Sequence, residues 1–84
     1  MPEISRFFGI TIYMYYAEHP PHFHVKYNKY NAIIHIRDYA LLEGKLPPKV
    51  FGMVMEWTVL HQTELLSDWN NTCNEKQLVR IAPL

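Results

Sequence analysis

The spacing of apolar residues divides the chain into an alternating first half and a helically spaced second half. Between Phe7 and Tyr16, Ile10, Ile12 and Met14 alternate with Thr11, Tyr13 and Tyr15, the period-two pattern of a strand with one buried face. From His22 to Tyr27 the alternation is cleaner: Phe23, Val25 and Tyr27 fall on one side, His22, His24 and Lys26 on the other. Ala32 to Arg37 repeats it, with Ala32, Ile34 and Ile36 opposed to Ile33, His35 and Arg37. The polar residues Asn28 to Asn31 between these two runs predict a hairpin turn. Ala40 to Leu42, just ahead of Glu43-Gly44, predicts one more short strand.

After Gly44 to Pro48 the period changes. From Pro47 to Trp69, Val50, Met53, Val54, Trp57, Leu60, His61 and Leu65 recur three and four apart and form one apolar stripe, which predicts a single long helix. A proline is tolerated in its first turn, and Asn70-Asn71 is expected to end it. Gln77 to Ile81 predicts a last short strand before Pro83. The expected order is β-β-β-(β)-α-β. That is an α+β fold in which a small antiparallel sheet of three to five strands carries one long helix on one face.

Eighty-four residues make room for one domain, expected to span residues 1–84. Hydrophobic residues are 49% of the chain and charged residues 19%, a balance that excludes intrinsic disorder. Eight Lys and Arg offset eight Asp and Glu, so bulk charge cannot hold the chain to nucleic acid or to a membrane. Any such contact has to come from a local face. The one cysteine, Cys73, excludes an internal disulfide framework and a cysteine-based zinc site, and it fits a reducing compartment. No apolar run approaches the roughly 18 residues of a membrane span. Together with an N-terminus lacking the pattern of a secretory signal, this leads to the expectation of a cytoplasmic protein with no membrane contact.

Five histidines, three of them on the expected hairpin, are the most informative chemistry in the chain. Residues two apart on a strand share a face at about 7 Å, so His22 and His24 project together. A two-residue turn sets His35 opposite His22, and a four-residue turn sets it opposite His24. Either register buries Phe23, Val25, Ile34 and Ile36 on the other side, so burial of the aliphatic face selects a register that gathers the imidazoles.

Three readings of that face stay open. In the first, His22, His24 and His35 hold a divalent metal such as zinc and leave an open position, with Glu18 or His19 as a further ligand or base. Ile33 intrudes on this face, and His-x-His alone is a weak motif. In the second, Lys26 and Arg37 contact phosphates while Tyr13 and Tyr15 stack on bases of RNA or DNA. His22, His24 and His35 then serve as general acid and base in phosphodiester cleavage. In the third, the domain is purely an interaction module whose sheet edge pairs with a partner strand or with a second copy as a homodimer. A solvated sheet face would show the same alternation with no chemistry at all. Trp57, Trp69 and His61 read as packing against the helix stripe, and Cys73 as an unactivated thiol. Neither a Gly-rich phosphate loop nor a nucleophile elbow is present.

Several of these residues fall into a familiar arrangement. The opening Met-Pro-Glu-Ile-Ser-Arg-Phe-Phe-Gly-Ile, Glu18-His19 followed by Pro20-Pro21-His22-Phe23-His24-Val25, and Leu42-Glu43-Gly44-Lys45-Leu46-Pro47 resemble the small bacterial proteins grouped as domain of unknown function 4160. The resemblance continues through Glu56-Trp57, Leu60-His61, Trp69 and Ile81 to Leu84. It departs from the family pattern where His19 abuts Pro20 without an intervening residue. The family has no established activity. Its members tend to be encoded beside a second small protein, an arrangement similar to toxin–antitoxin pairs. The resemblance therefore implies a small partner protein from a neighbouring gene and a role in nucleic-acid metabolism or autoregulation.

Overall fold

The computed structural model describes residues 2–84; Met1, which opens the family-like N-terminal motif, lies outside them. Five strands are followed by two helices: β1 (Glu3–Phe7), β2 (Ile10–Tyr13), β3 (His22–Tyr27), β4 (Tyr30–His35), β5 (Leu41–Gly44), α1 (Pro48–Leu60) and α2 (Gln62–Cys73). The strands form one antiparallel meander in the order β1-β2-β3-β4-β5. The fold is therefore α+β.

Two features of the N-terminal half differ from the alternation pattern. The run read as one strand from Phe7 begins only at Ile10, because Phe8 (φ 49°) and Gly9 (φ 77°) turn the chain between β1 and β2. Positive φ at both turn residues matches the twist of the flanking strands. Strand β1 itself escaped the period-two reading because its register shifts between Glu3 and Ser5. That shift buries Ile4 and Ser5 in succession, and a bulge of this kind erases alternation.

The single long helix is corrected to two. His61 leaves helical geometry at φ −121°, ψ 21°. Three contacts act at the break. Thr58 turns its hydroxyl back onto the Val54 carbonyl at 2.6 Å, a bond that bends helices. The His61 imidazole meets the Glu64 carboxylate at 2.6 Å. The Gln62 amide donates to the carbonyls of Ile36 (3.1 Å) and Arg37 (3.3 Å), fastening the start of α2 to the end of the sheet. The buried stripe nonetheless runs on through Val50, Val54, Trp57, Leu65 and Trp69, while Leu60 is exposed. Helix α2 also continues past Asn70-Asn71 to Cys73.

The expected strand at Gln77 to Ile81 does not form. The tail is held by separate clips instead of a ladder. The Val79 N–H donates to Asp68 Oδ1 (2.9 Å), the Ile81 N–H to the Ile4 carbonyl (2.8 Å), and the Trp57 indole to the Ala82 carbonyl (2.9 Å). Ile81 thereby joins Ile10, Ile12, Met14, Phe23, Val25, Ile34, Ile36 and both tryptophans in one core between sheet and helices. Burying each such large side chain contributes roughly 1.5–3 kcal/mol. The opposite face of the sheet is left for the remaining side chains.

Candidate functional site

The β3–β4 hairpin closes through a two-residue turn, Asn28-Lys29, and pairs His22 with His35, Phe23 with Ile34, His24 with Ile33, and Lys26 with Asn31. Phe23, Val25, Ala32 and Ile34 go to the core, so His22, His24 and Lys26 stand on the other face. Across the next strands Tyr13 pairs with His24, and Glu43 with Ile33. One row thus crosses four strands: Tyr13, His24, Ile33, Glu43.

The rings of this row pack on one another. His24 lies across Tyr13 (centroids 5.1 Å, planes 18° apart) and Tyr15 (4.6 Å, 19°), and Tyr13 and Tyr15 are 6.2 Å apart. Offset, near-parallel contacts of this kind contribute about 0.5–1.5 kcal/mol beyond area burial. They leave Tyr13 buried and Tyr15 the exposed member, at 44%. Burial, reinforced by the neighbouring Tyr15, pushes the Tyr13 phenol up. His24 is moved downward, first by desolvation and then by His22, while the Glu43 carboxylate pulls the other way. The Nε2 atom of His24 is buried with no hydrogen-bond partner.

The other two hairpin histidines do structural work. His22 is buried and donates from Nδ1 to the Pro20 carbonyl at 2.8 Å. Its ring packs on Trp69 of α2 at 5.1 Å and sits edge-on to His24 at 5.4 Å. His35 turns toward its own chain: Nδ1 accepts the N–H groups of Arg37 and Asp38, each at 3.2 Å, and Nε2 lies 3.6 Å from the Asp38 carboxylate. Accepting two backbone donors occupies the lone pair a metal would need.

The set of His22, His24 and His35 accordingly does not converge on a metal. Among the described residues no group of three His, Cys, Asp or Glu side chains is arranged to hold one. Glu18 and His19 are exposed, and His19 sits edge-on to Trp69 at 5.8 Å. Arg37 needs a further correction. Strand β4 ends at His35, so Arg37 lies in the following turn, where alternation no longer assigns it to the face of Lys26.

Two hollows flank the ring cluster. The smaller, about 260 Å³, is lined by Tyr13, His24, Asn31, Ile33, Glu43 and Gly44. The larger, about 560 Å³, lies between Tyr15, Tyr16 and the C-terminal tail. The larger groove contains no histidine, and its Arg80 is already engaged by Glu3 at 3.0 Å. Chemistry is concentrated in the smaller one. Gly44 sits at its rim with φ 80°, and a Cβ there would be driven into the Asn31 carbonyl. Only glycine lets β5 approach β4 closely enough to bring Glu43 beside the row. Glu43 and Asn31 carried no site role in the sequence reading. Continuing the strand pairing from β4 into β5 would have found Glu43, had the shift at Ile33/Ile34 been visible.

The architecture and the site define a small α+β domain: a five-stranded meander covered by helices on one face and bearing a tyrosine–histidine cluster on the other. The chain belongs to the family described as domain of unknown function (DUF4160), whose model matches residues 9–70. That span holds all five histidines and the row from Tyr13 to Glu43, and it leaves out β1 and the tail. No curated protein and no solved structure matches the chain. Among the described residues no helix is long and apolar enough to cross a membrane.

Proposed function

We propose that this protein contacts single-stranded nucleic acid in the cytoplasm through the tyrosine–histidine face of its sheet, as one component of a toxin–antitoxin-like two-gene module. The observation that carries the reading is the half-exposed ring of Tyr15, stacked on His24 on the face that also carries the exposed Lys26. An exposed aromatic face accepts a base by stacking. Lys26, exposed on the same face and in no ion pair among the described residues, is the phosphate contact. Arg6 is a poorer one, because Glu3 already holds it at 2.7 Å. Where the strand is cleaved, His24 is the general base; His22 is left out because it is buried with its Nδ1 bonded to the Pro20 carbonyl. His35 is left out of this chemistry because its Nδ1 is committed to the turn.

Retention of a labelled single strand on the purified protein tests the reading. Binding should weaken steeply with salt, as counterion release requires, and His24→Ala should abolish it. Salt-insensitive or absent retention ends the idea.

A second reading rests on a separate observation. All four residues of β5 are exposed at the sheet edge, Leu41 and Leu42 among them. Such an edge suits strand addition by the small neighbouring-gene protein. Co-expression and size-exclusion chromatography of the pair, alone and with Leu42→Pro, distinguishes that complex from a homodimer or a monomer.

A further inference from the structure

Resting on the nucleic-acid reading, we infer that the hollow between β3 and β5 is a pocket for one unpaired guanine base, read by Glu43 and Asn31. At about 260 Å³ the hollow falls below the range of sites for drug-sized ligands. It suits a single planar ring system. Its walls are apolar or aromatic, from Ile33 and the stacked Tyr13–His24 pair, while its rim carries one carboxylate and one amide. The register fixes these groups. Glu43 stands two strands beyond His24 in the same row, with Ile33 between them, and Asn31 belongs to the next rung, opposite Lys26.

The rim chemistry selects among bases. A carboxylate is an acceptor at both oxygens and takes two parallel N–H bonds. Guanine alone offers two adjacent donors on its Watson–Crick edge, N1–H and the 2-amino group, followed by the O6 acceptor, which the Asn31 amide satisfies. Adenine and cytosine set a ring-nitrogen lone pair against Glu43, and uracil flanks its single N–H with two carbonyls. A site whose polar groups are left unpaired by the wrong ligand rejects it strongly. In a duplex this edge is already used, so the base has to be unpaired. Lys26, neighbour to Asn31, then lies where the backbone of the same strand passes.

The test is fluorescence anisotropy with short uridine-rich single strands that differ at one central position: guanine, adenine or hypoxanthine, the last lacking the 2-amino group. Guanosine monophosphate serves as competitor. The guanine strand should bind about tenfold more tightly than the other two, the scale of one bidentate base contact. Glu43→Gln, an exposed and near-isosteric change, should erase that advantage, and Asn31→Asp should reduce it. Competition by the free nucleotide at similar concentration identifies a nucleotide ligand; its failure to compete identifies guanine within a strand. Equal binding of all three strands, or an advantage that survives Glu43→Gln, overturns the guanine pocket while leaving the nucleic-acid reading intact. Binding of the nucleotide without any strand overturns the nucleic-acid reading and leaves the pocket. Binding of neither overturns both.

Discussion

Tyr15 and His24 lie on different segments of the chain, yet their rings face each other at 4.6 Å with planes 19° apart. The contact explains why His24 can be lined by aromatic surface on a sheet face that no helix covers. Tyr15 is its lid, and removing the lid separates binding from folding. Tyr15→Ala should weaken single-strand binding by the loss of one stacked base, about 1–3 kcal/mol. Because Tyr15 is half exposed, the thermal midpoint should move far less than it would for a core residue. Parallel binding isotherms and thermal melts check both halves of this statement.

Stability should depend on pH through His24. Desolvation, with His22 in support, lowers its folded-state proton affinity below the ordinary value of 6.5. The unfolded chain therefore binds the proton more readily, and stability rises with pH through this window. The contribution is fully present above 6.5 and is lost as pH falls below it. Urea denaturation at a series of pH values should show that slope, and His24→Gln should flatten it.

His35 acts as a cap for its own turn. His35→Ala leaves the N–H groups of Arg37 and Asp38 without their acceptor, and since water can replace it at this exposed turn the loss is roughly 0.5–1.5 kcal/mol. His35→Asn, whose side-chain oxygen replaces Nδ1, should recover much of it. Strand binding by the folded His35→Asn protein should be unchanged. A collapse of binding in that variant at full stability would return His35 to the site.

Gly44→Ala should be costly for two reasons that act together, the left-handed backbone at φ 80° and the collision with the Asn31 carbonyl. Strain of this kind amounts to about 1–3 kcal/mol or more. Since β5 has to move away, the variant should also lose whatever preference Glu43 confers. Chemical denaturation and the base-substitution titration read the two effects.

Asp68 presents the opposite electrostatic case. Burial raises its carboxyl above 3.8 despite the bonds from Val79 and Asn71, and Oδ2 has no partner. The folded state then holds the proton more tightly, so this group's contribution falls as pH rises from 3.8 through the elevated folded value. Asp68→Asn keeps an acceptor for Val79 and removes the buried charge. At pH 7 it should melt at or above the parent temperature, whereas Asp68→Ala, which frees the tail, should melt below it.

The hairpin was the most legible part of the sequence. Burying Phe23, Val25, Ile34 and Ile36 together left two registers, with His35 opposite His22 or His24, and the two-residue turn takes the first. Register says where a side chain starts and not where its nitrogen goes. His35 bends to its own turn and His22 to the Pro20 carbonyl, bonds set by loop geometry that alternation does not encode. The break at His61 was invisible because the apolar stripe continues across it. Strand β1 was hidden by its bulge, and the tail by being held through side chains. Glu43 reached the site through a second irregular pairing, which no period-two count foresees.

The C-terminal tail touches the β1 border of the sheet through the Ile81 N–H bond to Ile4 and the Arg80–Glu3 ion pair. Among the described residues the border at Leu41–Gly44, exposed along its whole length, carries no such clip and is the readier to accept a foreign strand. A molecule that pairs through that border alone can join one companion and then stop. Any assembly built this way terminates as a closed pair instead of growing into a fibre.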